Sequence, residues 1–383
     1  LQTCFSVDFN GGDKIMIQNK KLGFLERFLT LWIFLAIILG VSLGYVYPEI
    51  ANIISSLSIG TTSIPIAIGL ILMMYPPLSK VKYEELWKII KLYTFLAKHS
   101  LSSKTETVKS KELIKDKKLI LFSLIQNWIV GPVVMWLLAI LLLHDHPGYM
   151  IGVILVGLAR CIAMVIVWNE LAEGDRDLAV GLVALNAIFQ ILFYAVYIYL
   201  FITLGLKLLG FETVEANVSI IESAKTVFIY LGIPFILGLL TRYLSFFLKG
   251  KEWFENVLAP KISLLTPIFL LFTIIIMFSL KGQYIVKLPF HVVRVAIPLT
   301  IYFLFMWFIT FFIAYKLKVD YSKAVAVAFS SASNDFELAI AVAVGIWGIG
   351  SDQAFATVIG PLLEVPVLII LVNVALFFKR KWY

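Results

Sequence analysis

LARCIAMVIVWNELAEGD, from Leu158 to Asp175 and continued by Arg176 and Asp177, decides how the rest of the chain is read. It begins inside an apolar run of bilayer-spanning length, yet it places Arg160 and Cys161 where the membrane midplane is expected. A charge in hydrocarbon is costly, so an intramembrane arginine marks a functional site by default. Two further polar interruptions stand in the second half of the chain. SSASNDFE occupies Ser330 to Glu337, and Glu364 sits alone within GPLLEVPV, flanked by Pro361 and Pro366. These three places are expected to meet in one transport site.

The surroundings fit a membrane protein. Of 383 residues, 61% are hydrophobic and 15% charged, and the mean hydropathy is +0.96. Soluble domains hold roughly 45–50% apolar and 25% charged residues. The net charge of +8 could suggest nucleic acid, but the Lys and Arg fall in connections between apolar runs, where they encode topology. Nucleic acid is therefore set aside. The two cysteines, Cys4 and Cys161, imply no disulfide framework. The opening LQTCFSVDFNGGDK lacks the apolar core of a cleavable signal peptide, and Met16 offers an alternative start.

About ten apolar runs of spanning length follow, since roughly 20 residues cross the hydrocarbon core. They cover approximately 26–47, 53–78, 119–143, 149–168, 178–206, 224–248, 260–280, 290–315, 323–348 and 353–378. The second loop, 79–118, is long and Lys-rich and reads as a solvated cytoplasmic insert. Later even-numbered loops carry Arg242, Lys249, Lys251 and Lys261, then Lys316, Lys318 and Lys323, and the tail ends in Lys379, Arg380 and Lys381. Three of the alternate connections, PEIANIISSLSIGTTS, HDHPG and GSDQ, hold no Lys or Arg. Both termini are thus expected in the cytoplasm, in a cell membrane. Lys207 with Lys225, and Lys281 with Lys287, weaken this pattern without reversing it.

Division into five runs and five puts 149–168 in register with 323–348, and both carry polar interruptions. An odd number of spans per half forces opposite orientations, the inverted-repeat plan of secondary transporters. The expected organisation is a polar tail over 1–25, a first repeat over 26–206, a second over 207–378 and a cytoplasmic tail over 379–383. The fold class is all-α and membrane-embedded, with oligomeric state open.

Chemistry can then be assigned. Ser330, Ser331, Ser333 and Asn334 can satisfy unwound backbone or hold a polar solute. Bonding between packed helices is the plainer alternative. Arg160 faces three acids at depth, Asp335, Glu337 and Glu364, so the cluster carries a surplus carboxyl. At least one acid is then expected to exchange a proton near working pH, with Glu364 favoured and Asp335 second. A simple Glu364–Arg160 pair is the competing expectation. Cys161 beside a cation can ionise to the thiolate that binds soft ions, although a buried cysteine often packs as a small hydrophobe.

With these residues in place, the chain resembles the arsenite efflux permeases of the bile acid:sodium symporter superfamily. LARCIAMVIVWNELAEGD carries the likeness, with GTTSIPIAIGLILMMYPPLSKV from Gly60, LIQNWIVGP from Leu124, SASNDFELAIAVA from Ser331 and QAFATVIGPLLEVPVLIILVNVAL from Gln353. The resemblance spans about Gly23 to Phe378. It implies ten helices in panel and core domains, with discontinuous, crossing fourth and ninth helices. It also implies export of arsenite, and sometimes antimonite, in exchange for protons. The family's essential cysteine falls on Cys161 and its essential glutamate on Glu364. Glu337 matches the glutamate that helps bind sodium in the bile-acid branch.

Two departures are visible. Leu338, Ala339, Ile340 and Ala341 replace the Thr-Gly-x-Gln stretch of the sodium branch, which removes sodium ligands. Asn334-Asp335 replaces the usual Asn-Asn and adds a carboxyl. The resulting expectation is arsenite contact by Cys161, Arg160, Ser333, Asn334 and Glu337, with proton coupling through Glu364 and Asp335. No cofactor and no metal other than the metalloid cargo is expected, and the partners are arsenite, protons and membrane lipid. A sodium-coupled organic-anion symporter, with Arg160 attracting a carboxylate, is the alternative. An intramembrane aspartyl protease using Asp335 and Asp175 lacks its Gly-x-Gly-Asp motif. His144-Asp145-His146 reads as a solvated turn rather than a metal site.

Overall fold

The computed structural model describes residues 28–47, 49–50, 53, 56–59, 62–81, 118–162, 164–211, 218–280 and 289–383. The expected N-terminal tail and nearly all of the Lys-rich insert lie outside them. In order come α1 (Leu29–Val46), α2 (Ile64–Lys80), α3 (Lys118–Leu143), α4 (Pro147–Leu158), α5 (Met164–Leu171) and α6 (Arg176–Leu208). Next are α7 (Ile220–Lys249), α8 (Leu265–Leu280), α9 (Pro289–Lys316), α10 (Tyr321–Ala332), α11 (Phe336–Trp347) and α12 (Asp352–Trp382). Among the described residues, six helices are long and apolar enough to cross a membrane: α3, α6, α7, α9, α12 and the stretch Lys251–Ile276 that runs into α8. The chain is an all-helical integral membrane protein, as hydrocarbon requires when it offers backbone groups no water.

Three of the expected runs differ in form. The helix expected over 53–78 starts only at Ile64, after a two-residue ribbon that pairs Ser58–Ile59 with Thr62–Ser63. The runs 149–168 and 323–348 are each divided, at Ala159–Ile162 and at Ser333–Asp335. The second division is narrower than the polar stretch implied, because Ser330 and Ser331 still belong to α10. Lys379 to Lys381 continue α12, where their charge suits a helix C-terminus.

Proline shapes the long helices. Pro132, Pro234 and Pro260 each follow or close a widened turn, at Gln126–Val130, Phe228–Gly232 and Phe254–Leu258. A proline lacks the N–H for the carbonyl four residues back and clashes with it, so the helix opens into a π turn. The carbonyl of Trp128, four before Pro132, instead accepts from the Tyr197 hydroxyl at 2.6 Å. Polar bonding thus ties α3 to α6.

The helices pack in two groups. In one, α1 and α2 lie on α8, and α2 also lies on α7. The approach of α1 to α8 is close enough that a Cβ at Gly44 would sit 2.0 Å from the Ser279 carbonyl oxygen. In the other group α4 packs on α3 and α12, α9 on α10 and α12, and α11 on α12. Contacts of α1 with α12, α2 with α11 and α6 with α7 join the groups, and Phe278 of α8 meets Phe355 of α12 at a ring separation of 6.0 Å.

Two short loops hold polar groups in structural roles. Asp175 caps α6, its carboxylate accepting from the Leu178 N–H at 2.9 Å. In the His144–His146 turn, Asp145 pairs with Arg294 of α9, and that donor holds its carboxyl below the usual carboxylate range.

Candidate functional site

The divided helices meet at their breaks. Arg160 and Asn334 form an antiparallel bridge, with the Cys161 N–H donating to the Ser333 carbonyl at 3.3 Å and the Asp335 N–H to the Ala159 carbonyl at 3.2 Å. Each break leaves helix-end carbonyls that need donors. Asn334 supplies two, its Nδ2 donating to the carbonyls of Val156 at 2.7 Å and Ala159 at 2.9 Å. Asp335 caps α11, its Oδ1 accepting from the Leu338 N–H at 3.0 Å.

Arg160 has no exposed surface, and its guanidinium supplies the matching donors from the first break. It donates to the Gly157 carbonyl at the end of α4, to the Ser331 carbonyl at the end of α10 at 3.3 Å, and to the Tyr302 hydroxyl at 2.5 Å. Two helix C-termini carry partial negative charge, and the cation lies between them. Gly131 leaves the space for this, since a Cβ there would lie 2.8 Å from Arg160 Nη1 and from the Tyr302 hydroxyl. The expected role of Arg160 as counter-ion to the acids is therefore corrected. Among the described residues it forms no ion pair with Glu337, Glu364 or Asp335; its Nη groups donate instead to two helix-end carbonyls and to Tyr302.

Beside the crossing lies a small, partly open pocket. Its lining includes the soft and apolar residues Met74 and Pro77 of α2, with Cys161, Ile162 and Met164 from the first break and the start of α5. It also includes the polar Asn334, Asp335, Glu337 and Glu364. Among the described lining residues there is no Lys, Arg or His. The structure thus brings Cys161, Asn334, Asp335, Glu337 and Glu364 together, and puts Arg160 and Ser333 outside that lining. Ser333 stays linked to it, its hydroxyl donating to Glu364 Oε1 at 2.5 Å. The Oδ1 of Asn334, buried in the lining, has no hydrogen-bond partner among the described residues. The lining offers acceptors for hydroxyl protons and a thiol for a soft atom.

Sequence reasoning missed the support behind this site. Gln190 of α6 accepts from the Arg160 N–H at 2.7 Å and donates to Asp335 Oδ2 at 3.4 Å, so one amide touches both breaks. Asn186, one turn earlier, donates to the Cys161 carbonyl at 3.4 Å and accepts from Asn127 and Trp128, each at 3.3 Å. Asn127 also donates to Ser330 at 3.0 Å. The available signal was an i, i+4 pair of amides on one face of an oily helix, an expensive pattern unless bonded.

Comparison with known proteins agrees with this geometry. Residues 95–288 match the Sodium Bile acid symporter family. The chain is 41% identical over 367 residues to the Arsenical-resistance protein Acr3 of Corynebacterium glutamicum, covering 96% of this chain and 92% of that one. It is 32% identical over 383 residues to the Arsenical-resistance protein Acr3 of Alkaliphilus metalliredigens, covering 97% and 98%. An uncharacterized transporter of Synechocystis sp. is 33% identical over 390 residues, covering 96% and 93%. Crossed helix breaks around a thiol-and-carboxylate cavity, with near full-length likeness to these relatives, place the chain in the bile acid:sodium symporter family of transporters, within its arsenical-resistance branch.

Proposed function

We propose that the chain exports arsenite from the cytoplasm in exchange for protons by alternating access. The observation that carries the reading is the pocket at the crossing, lined by Cys161 and three carboxyls, with no cationic residue in its described lining. Arsenous acid is a neutral pyramidal hydroxide near neutral pH, with hydroxyls that donate and a thiophilic centre. Such a guest suits this lining, whereas an organic anion would face three acids without a counter-ion in it. That contrast weighs against the sodium-coupled symporter.

Each residue then has a task. Cys161 contacts arsenic; condensation of its S–H with one As–OH forms S–As and releases water, hydrolysis reverses it, and no oxidation state changes. Asn334 Oδ1 and Glu337 accept from the remaining hydroxyls. Glu364, oriented by Ser333, takes a proton from outside and gives it up to the cytoplasm, with Asp335 as second acid. Arg160 serves by holding the crossing in place. The architecture behind this reading is two inverted repeats, 26–206 and 207–378, with the 79–118 insert and both termini in the cytoplasm. The α1–α2–α7–α8 group acts as panel and the remaining helices as core, in a cell membrane.

Arsenite uptake into everted membrane vesicles, with an imposed proton gradient and with or without sodium, tests the proposal. Uptake is expected to follow the proton gradient and ignore sodium. In Cys161→Ser it is expected to fall to background while the purified protein keeps its thermal midpoint. Full transport by that variant overturns the ligand role.

A further inference from the structure

Glu364 stands on a weakened stretch of α12. Pro361 and Pro366 lie inside that helix, and neither has the N–H that would bond the carbonyl four residues back, that of Thr357 or of Leu362. The turn carrying Glu364 therefore lacks two ladder bonds, and its own helix holds it loosely. Support comes from the second break instead. The Ser333 hydroxyl donates to Glu364 Oε1 at 2.5 Å. Three residues later the Phe336 ring lies against Gly360, where a Cβ would be 2.8 Å from the ring Cζ and closer still to Cε1 and Cδ1. Gly360 and Glu364 are four positions apart, so both points fall on one face of α12. Phe336 is 1% exposed, and its ring also meets Phe303 of α9 edge to face at a separation of 6.2 Å.

We infer that Phe336 is a positioning residue for the proton step: its ring, seated in the notch at Gly360, sets the height of α12 against the second break so that Ser333 meets Glu364. The inference rests on the reading of Glu364 as the proton-carrying acid. Phe336 is not in the pocket lining, and it acts through the turn it steadies. It is the first residue of α11, directly after the cap Asp335, so ring and hydroxyl are carried by one short piece of backbone and hold α12 one helical turn apart. A single contact would leave the turn free to pivot, whereas two fix it. A smaller residue at 336 empties the notch, and a side chain at 360 displaces the ring toward Phe303. Either change draws Glu364 away from Ser333 while Cys161 and Asn334 keep their places.

The test measures arsenite uptake in everted vesicles, per amount of folded transporter, for Phe336→Leu, Gly360→Ala and the two combined. Phe336→Leu is expected to lower kcat about tenfold with KM changed by less than about twofold, because the cargo contacts remain. Gly360→Ala should do at least as much, and the combination should be less impaired than Gly360→Ala alone, because the smaller side chain leaves room for the methyl group. A spectroscopic readout on purified protein separates positioning from packing. The infrared carbonyl band of protonated Glu364, identified by its loss in Glu364→Gln, should move to higher wavenumber in Phe336→Leu as the bond from Ser333 is lost. An unmoved band, a wild-type kcat in Phe336→Leu, or a combination no better than Gly360→Ala overturns the inference and leaves the role of Glu364 standing. Uptake by Glu364→Gln that still follows the proton gradient overturns that role as well.

Discussion

The two helix breaks solve one backbone problem with opposite chemistry. The first, around Arg160, brings a cation that reaches the carbonyl ends of α4 and α10. The second, around Asn334 and Asp335, brings a neutral amide for the carbonyls of α4 and a carboxylate for the N-terminus of α11. Neither break satisfies itself. Arg160 serves both, Asn334 serves the first, and Gln190 bonds to each. The lesson is that the crossing is one cooperative unit, and the residue with the largest formal charge is its fastener rather than its chemistry.

That contrast can be broken from either side. Arg160→Ala strips donors from two buried carbonyls and a tyrosine, and is expected to cost on the order of 3–5 kcal/mol, read as a large fall in thermal midpoint in detergent. Arg160→Lys should recover part of it, since an ammonium keeps charge and donors but not the planar fork. Asn334→Ala removes both amide donations to α4 and should cost about 2–3 kcal/mol. Combined with Arg160→Ala it should cost less than the sum, because the two residues support one structure; strict additivity would separate the breaks again. Gln190→Leu should have the smallest effect, about 1–2 kcal/mol, since Asp335 keeps its bond to the Leu338 N–H.

Much of this was legible in the sequence. The apolar runs mark the spans because hydrophobic length is a direct requirement of the bilayer, and Cys161, Asn334, Asp335, Glu337 and Glu364 stood out as polar residues in oily surroundings. Their convergence followed from comparing the two halves. What was not legible was direction. Arg160 and Cys161 are neighbours in sequence, but composition does not say that one side chain turns to carbonyls while the other faces the cavity. The break at Ala159–Ile162 was marked by Arg160 and implied by the resemblance, but its exact bounds were not legible, because no proline marks them. Met74 and Gln190 escaped notice as well: a methionine in a membrane helix is unremarkable, and one amide gains meaning only from partners on other helices.

The backbone bridge between Arg160 and Asn334 has a mechanical consequence. Four half-helices are riveted at a single point by main-chain bonds, so a load on any one is shared by the other three, and bending there would break bonds that hydrocarbon cannot replace. The crossing therefore resists bending, and the alternating access proposed above calls for travel elsewhere, at the seam where α2 meets α11.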